Sequence, residues 1–130
     1  MLLLTLRTEK PQAEIGIYKD YKKLDYFKWQ AHRELSDTIH TNIDKLFKKN
    51  SLNLNDLNGL IIYKGPGSFT GLRIGFSVAN ALAYSLECNI VATNDDDWIN
   101  QGLELFKSNQ TSKQAFPFYG AEVNITPTKK

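Results

Sequence analysis

The chain has 130 residues, of which 42% are hydrophobic and 23% charged, so it is expected to form one globular domain and not a disordered or fibrous protein. Its formal net charge of +2 is too small to predict nucleic-acid or membrane binding through a general electrostatic field. The single cysteine, Cys88, excludes an internal disulfide and is typical of a reducing compartment. No apolar run approaches the roughly 18 residues of a membrane span, so we expect a cytoplasmic protein without membrane contact.

Three extended segments are predicted at the start of the chain. Residues 2–6 are continuously apolar and lack a cleavage-site pattern, which favours a core strand over a signal peptide. Residues 13–18 and 24–30 alternate between apolar and polar side chains, as half-buried strands do. The short links between these segments predict an antiparallel three-stranded meander.

Helices alternate with strands in the rest of the chain. Residues 34–49 repeat apolar side chains at helical spacing and carry lysines near their end, which predicts an amphipathic helix. A buried strand at residues 59–63 is followed by a glycine-rich loop and a helix over residues 70–87. A further strand at 89–93 then leads into a helix within 94–108, with Asn94 or Asp95 as its cap.

The order β-β-β-α-β-α-β-α predicts an α/β fold with a mixed five-stranded sheet and helices on its faces. This is the layout of an RNase-H-like or actin-like half-domain. We expect residues 1–112 to form this single lobe. Residues 113–130 contain two prolines and no periodicity, and we expect an extended tail that packs through Phe116, Phe118 and Tyr119.

The helix over residues 70–87 is apolar on two sides. No formal charge lies between Arg73 and Glu87, although the outer side of a surface helix is normally charged. One stripe suits burial against the sheet, and it consists of Leu72, Phe76, Ala79, Ala83 and Leu86. The other stripe is small or apolar, and it consists of Ile74, Ser77, Val78, Ala81 and Ser85. Two rows of small residues would let another helix approach closely, namely Gly75, Ala79 and Ala83, and Ser77, Ala81 and Ser85.

Two interpretations of the second stripe stay open. The helix over residues 34–49 covers it within the same domain, since adjacent helices on one sheet face often pack together. Alternatively another chain covers it, because a large exposed apolar patch is unusual on a monomer.

The glycine-rich sequence GPGSFTG, residues 65–71, also has two interpretations. Backbone N–H groups at a helix N-terminus bind anions, which makes Gly65, Gly67, Ser68, Thr70 and Gly71 a candidate anion-binding loop. The spacing is not that of a Walker loop, since Leu72 and Arg73 stand where a lysine and a metal-binding hydroxyl are required. A structural turn is the alternative, in which the glycines permit positive φ and Ser68 or Thr70 caps the helix.

The residues needed for catalysis are not found in a recognisable pattern. An RNase-H-like nuclease needs carboxylates converging on metal ions, one of them on the first strand, but that strand is LLLTL and ends at Arg7. His32 and His40 lack the spacing of a zinc site, and Asp95 to Asp97 suit the start of a helix. We therefore predict no catalytic residue, metal or cofactor.

The sequence GPGSFTGLRIG and the small-residue helix after it closely resemble the signature of the TsaB (YeaZ) family, a subunit of the bacterial machinery that makes threonylcarbamoyladenosine in tRNA. The similarity extends upstream through AHRELSDTIHTNIDKLFKKN and downstream through ANALAYSLECNIVAT. Roughly residues 1–106 correspond to the N-terminal lobe of that two-lobed, actin-like family.

The resemblance implies a scaffold without catalysis of its own. It implies binding to TsaD, the related catalytic subunit, through helices 34–49 and 70–87, with the ATPase TsaE joining the assembly and tRNA contacted only indirectly. A homodimer through the same helices is an alternative. The interface residues predicted on this basis are Leu35, Ile39, Ile43, Arg73, Ile74, Ser77, Val78, Ala81 and Ser85.

Two features depart from the family pattern. Arg7 stands where the family's first strand usually ends in an acidic Asp-Thr-Ser type turn, and the sequence is expected to hold only the N-terminal lobe. Because the nucleotide of actin-like proteins lies between two lobes, these departures weaken the alternative function, nucleotide or phosphate binding by the 65–71 loop. They leave the predicted partner face intact.

Overall fold

The computed structural model describes residues 1–119, and the predicted tail from residue 120 onward lies outside the described residues. Five strands form one mixed sheet in the order β3-β2-β1-β4-β5. Strands β1, β2 and β3 pair antiparallel, whereas β4 runs parallel to β1 and β5 runs parallel to β4. The elements are β1 Leu2–Arg7, β2 Gln12–Lys19, β3 Lys22–Gln30, α1 Leu35–Lys49, β4 Gly59–Tyr63, α2 Phe69–Ser85, β5 Asn89–Thr93 and α3 Trp98–Lys107. The predicted fold class and element order are confirmed.

The uninterrupted apolar character of β1 follows from its position in the sheet. Helices α1 and α2 cover one face, where Leu4 and Leu6 join the larger core cluster. Helix α3 covers the other face, where Leu3 packs with Trp98 and Phe106. A strand buried on both faces needs apolar side chains at successive positions, which is why β1 shows no alternation.

Helix α3 begins later than predicted. Neither Asn94 nor Asp95 caps it, because Asp95 adopts a left-handed turn conformation with φ of 72° and the first helical residue is Trp98. The backbone N–H of Trp98 donates to the carbonyl of Asp95 and closes that turn. The acidic run from Asp95 to Asp97 therefore forms the link between β5 and α3. Among residues 1–119, no helix is both long and apolar enough to cross a bilayer.

Residues 112–119, which we call the strap, pack along α2. Ser112 exchanges two backbone hydrogen bonds with Ile90 of β5, and the Phe118 N–H donates to the carbonyl of Lys64. The predicted packing is right only for Tyr119, which is partly buried against the main core cluster, whereas Phe116 and Phe118 are exposed and Ala115 is buried in their place. Burial alternates from Ala115 to Tyr119, so neighbouring side chains point to opposite sides of the strap.

Polar contacts around Asp25 attach the end of α1 to strand β3. The Asn50 side-chain amide donates to Asp25 Oδ2 at 2.9 Å, and the Tyr26 backbone N–H donates to Asp25 Oδ1. Lys49 Nζ also lies 3.3 Å from Asp25 Oδ2. These contacts, the Asn50 hydrogen bond foremost, hold the pKa of Asp25 below its ordinary value of 3.8.

The lowered pKa predicts a pH-dependent difference between the wild type and Asp25→Asn. A carboxylate whose pKa falls on folding stabilises the protein above its unfolded-state pKa, and this contribution is lost as the pH drops through the folded-state value. We therefore expect Asp25→Asn to be less stable than the wild type at pH 7, with the difference shrinking as the pH falls below about 4. Urea unfolding at several pH values measures it, and a difference independent of pH would contradict the titration of Asp25 as its source.

Candidate partner-binding surface

Helix α2 uses its first predicted stripe to pack on the sheet of its own chain. Leu72, Phe76, Ala79 and Ala83 are buried, and Leu86 is partly buried. Gly75 is also buried, and a Cβ at its position would overlap the Thr8 side chain. The row of small residues at Gly75, Ala79 and Ala83 therefore lets α2 pack closely on the sheet and the β1 turn of its own chain. This corrects the expectation that another helix would pack against this row.

The structure also corrects the position of three predicted interface residues. Leu35, Ile39 and Ile43 of α1 are buried in the main core cluster. They point toward the sheet because they form the apolar stripe of α1, and the sheet needs that stripe to close its core. In this fold they stabilise the lobe and do not belong to its surface.

Four of the remaining predicted residues lie along one exposed side of α2, whereas the structure corrects Val78, which belongs to the main core cluster. Arg73, Ser77, Ala81 and Ser85 are exposed, Ile74 is partly buried and Val78 is buried. A groove of about 240 Å³ separates this side from α1, and Ser36 and His40 form its opposite wall. Helix α1 therefore covers only the margin of the second stripe. We define the α2 face as Arg73, Ser77, Ala81, Tyr84 and Ser85.

Tyr84 belongs to the α2 face although the sequence interpretation missed it. Its side chain is 86% exposed, the highest value among the exposed large hydrophobic residues of the described chain. The signal was available in the sequence, because Tyr84 is a large aromatic residue in a run without charge and lies two turns beyond Ser77. Tyrosine is enriched at protein interfaces, where it fills a pocket and still satisfies its hydroxyl.

The glycine-rich loop packs tightly against the turn that follows β1. The Ser68 N–H donates to the carbonyl of Glu9 at 2.9 Å, and the Thr8 hydroxyl donates to the carbonyl of Gly71 at 2.8 Å. A Cβ at Gly67 would overlap the Glu9 side chain, and one at Gly71 would overlap the Thr8 carbonyl oxygen. These contacts account for both glycines by close packing.

Other predicted loop residues shape the start of α2. The Ser68 hydroxyl accepts a hydrogen bond from the Gly71 N–H at 3.2 Å and caps the helix. Gly65 adopts a φ of 110°, which a side chain would strain, and the Phe118 carbonyl lies against it. Thr70 is exposed in the first turn. The expected positive φ is therefore found at Gly65 and not at Gly67, and the expected cap is Ser68 and not Thr70.

The outer side of the loop borders a cavity of about 460 Å³. Lys10, His32 and Arg33 line it together with Ser68 and Thr70. Lys10 Nζ lies 3.5 Å from a carboxylate oxygen of Glu14, so its charge is partly balanced within the chain. Anion binding at this outer side stays a prediction.

The turn after β1 holds a compact ion pair where the family pattern has an acidic residue. Arg7 donates from Nε and Nη2 to the Glu9 carboxylate at 2.9 to 3.1 Å, and its guanidinium carbon lies 4.0 Å from the Tyr63 ring centroid. Burial alone would lower the pKa of Arg7, but the hydrogen bonds and charge of Glu9 raise it above its ordinary value. Arg7 is therefore a fixed cation bound to Glu9 and Tyr63.

The cysteine and the two histidines do not come together in one site. Within residues 1–119 there is no group of three or more His, Cys, Asp or Glu side chains placed to hold a metal ion. Cys88 is half-buried, and burial raises the pKa of its thiol. His32 and His40 line two different surface depressions.

Comparisons with known proteins agree with this arrangement. The fold is similar to YeaZ from Pseudomonas aeruginosa, with a TM-score of 0.69 and 21% identity over 84% of this chain and 50% of that chain. It thus has the architecture of one lobe of an actin-like α/β protein. The profile of the family described as "TsaD: tRNA N6-adenosine threonylcarbamoyltransferase" matches residues 29–117. The chain belongs to this family, on its TsaB (YeaZ) branch.

Curated relatives come from both branches. The TsaB protein of Buchnera aphidicola subsp. Schizaphis graminum, described as a tRNA threonylcarbamoyladenosine biosynthesis protein, is 32% identical over 68% of this chain and 42% of its own length. The tRNA N6-adenosine threonylcarbamoyltransferase of Geotalea daltonii is 32% identical over 63% of this chain and 24% of its own length. The chain spans less than half the length of the TsaB relatives it matches.

Proposed function

We propose that this chain is a non-catalytic TsaB-like subunit that binds a TsaD-like catalytic subunit and supports threonylcarbamoylation of adenosine in tRNA. The observation that carries the proposal is the α2 face. It is uncharged from Ser77 to Ser85, and α1 covers only its margin in the described chain. An exposed helix face that carries one charge, at Arg73, and a large exposed aromatic residue suits a protein interface better than contact with a row of nucleic-acid phosphates.

The small residues of the α2 face suit a helix as the partner element. Ser77, Ala81 and Ser85 lie on successive turns, so another helix can approach α2 closely along this row. Tyr84 stands beside the row as a large anchor, and Arg73 lies at one end of it. This combination of small residues with one exposed aromatic side chain supports helix-to-helix docking.

The two-branched family supports a partner built on the same fold. Because the transferase profile matches this chain over α1 and α2, a TsaD-like subunit carries related elements. Two related lobes can then pair through equivalent helices about an approximate two-fold axis. A TsaE-like ATPase would join this assembly, and tRNA would be contacted indirectly through the catalytic subunit.

A homodimer through the α2 face is the competing assembly. A closed two-fold dimer uses the same patch on both copies, so the homodimer and the heterodimer would exclude each other. The proposed function requires that the TsaD-like subunit displaces any second copy of this chain.

Co-expression with the TsaD homologue of the same genome tests the proposed function. The full chain is tagged and purified, and the mass of the eluted complex is measured in solution by light scattering. We expect a stoichiometric complex with the TsaD homologue. A chain that elutes alone, as a monomer or a homodimer, would overturn the proposal.

A further inference from the structure

Helix α2 and the strap carry most of the exposed large hydrophobic residues. Seven such residues are found in the described chain, and four of them lie on α2 or on the strap. These are Phe69, Tyr84, Phe116 and Phe118, with exposed fractions of 54%, 86%, 68% and 41%. Because α2 and the strap pack on each other, their exposed aromatic side chains belong to one continuous part of the surface, which is a candidate interaction surface.

The strap is held firmly against α2. The Asn80 side-chain amide donates to the carbonyl of Ala115, and its Oδ1 accepts from the Ala115 N–H, both at 2.9 Å. At the far end of the strap, the ring centroids of Tyr119 and Phe69 lie 4.5 Å apart. Hydrogen bonds at Ser112 and Phe118 fix the backbone on either side of Ala115.

This attachment holds Phe116 outward. Ala115 is buried and hydrogen-bonded to Asn80 of α2, whereas the next residue, Phe116, is 68% exposed to solvent. An aromatic side chain on an ordered backbone loses little conformational entropy when a partner covers it. Phe116 therefore has the exposure and the rigidity of an interface anchor.

We propose that the strap is a second part of the docking surface for the TsaD-like subunit, with Phe116 as its anchor. This inference rests on the proposed function, because it extends the α2 face across Asn80 onto the strap. Residues 114–119 carry no charge, so the extended surface complements an apolar protein face. The transferase-family match runs through Pro117, so this part of the strap belongs to the region shared by the two related subunits.

Affinity measurements on Phe116 variants test this inference. Full-length wild type, Phe116→Ser and Phe116→Tyr are titrated by calorimetry against the purified TsaD homologue of the same genome. We expect Phe116→Ser to weaken binding at least about tenfold, as loss of an interface anchor does, and Phe116→Tyr to stay within about threefold. Leu24→Ser is the matched control, since Leu24 is an exposed apolar residue on β3 and its loss should leave affinity unchanged.

The outcomes separate this inference from the proposed function. If Phe116→Ser binds as the wild type does while a charge on the α2 face abolishes binding, the strap inference is overturned and the proposed function stands. If the wild type does not bind, both are overturned. Amide hydrogen exchange of the wild type, compared between the free chain and the complex, tests the inference without a mutation. Docking on the strap must slow exchange at the backbone amides of residues 112–119.

Discussion

Ala81→Arg is expected to lower the affinity for a TsaD-like subunit at least about 100-fold, because it places a large charged side chain at the centre of the uncharged row of small residues from Ser77 to Ser85. Ala81 is exposed on α2, so the arginine stays in solvent in the free chain and the lobe keeps its fold. In the complex, the same guanidinium would have to be buried without a counter-charge on the α2 face. Calorimetric titration with the TsaD homologue measures the loss.

A control variant tests whether the loss of affinity depends on where the arginine is placed or follows from any added positive charge. Asn100→Arg puts the same side chain at an exposed position of α3, a helix that lies on the opposite face of the sheet. We expect its affinity to equal that of the wild type. If Ala81→Arg bound equally well, the partner would have to use another surface, and the α2 face would lose its proposed role.

Gly71→Ala is expected to destabilise the lobe by about 1 to 3 kcal/mol through overpacking. The added methyl group would overlap the carbonyl oxygen of Thr8, a backbone atom that cannot turn aside as a side chain would. Alanine in a helix gains up to about 1 kcal/mol over glycine, so the clash must exceed this gain for the variant to be less stable. The Thr8 hydroxyl, which donates to the Gly71 carbonyl, would move with it.

Urea unfolding of Gly71→Ala, with Ser77→Ala as control, measures this effect. Ser77 is exposed on the same helix, and its replacement should change the free energy of unfolding by less than about 0.5 kcal/mol. An unchanged unfolding midpoint for Gly71→Ala would mean that the β1 turn relaxes around the methyl group. The close packing of the loop would then not explain this glycine.

Much of the fold was predictable because its signals are local. The alternation in β2 and the apolar spacing of α1 identify these elements directly, and the structure places both within a few residues of the prediction. The start of α3 was not predictable in this way. Three consecutive aspartates favour a helix start, but Asp95 has a left-handed conformation, which is uncommon for a residue with a side chain, and its carbonyl accepts a hydrogen bond from the Trp98 N–H.

The candidate surface was predictable in part. The absence of charge from Ser77 to Ser85 is visible in the sequence and predicts an interaction surface on α2. The strap was not predictable as part of this surface. Residues 112–119 have no periodicity, and their position on α2 depends on the long-range contact between Asn80 and Ala115.

The sequence by itself determined the element order, the fold class, the family and an uncharged helix with two apolar sides. Only the tertiary structure decided which side of α2 is buried within the lobe and which is exposed. Ala79 and Ala81 are identical residues two positions apart on α2, yet one is buried and the other is exposed. Their roles differ because burial depends on the placement of the sheet, α1 and the strap around the helix, and residues distant in sequence set that placement.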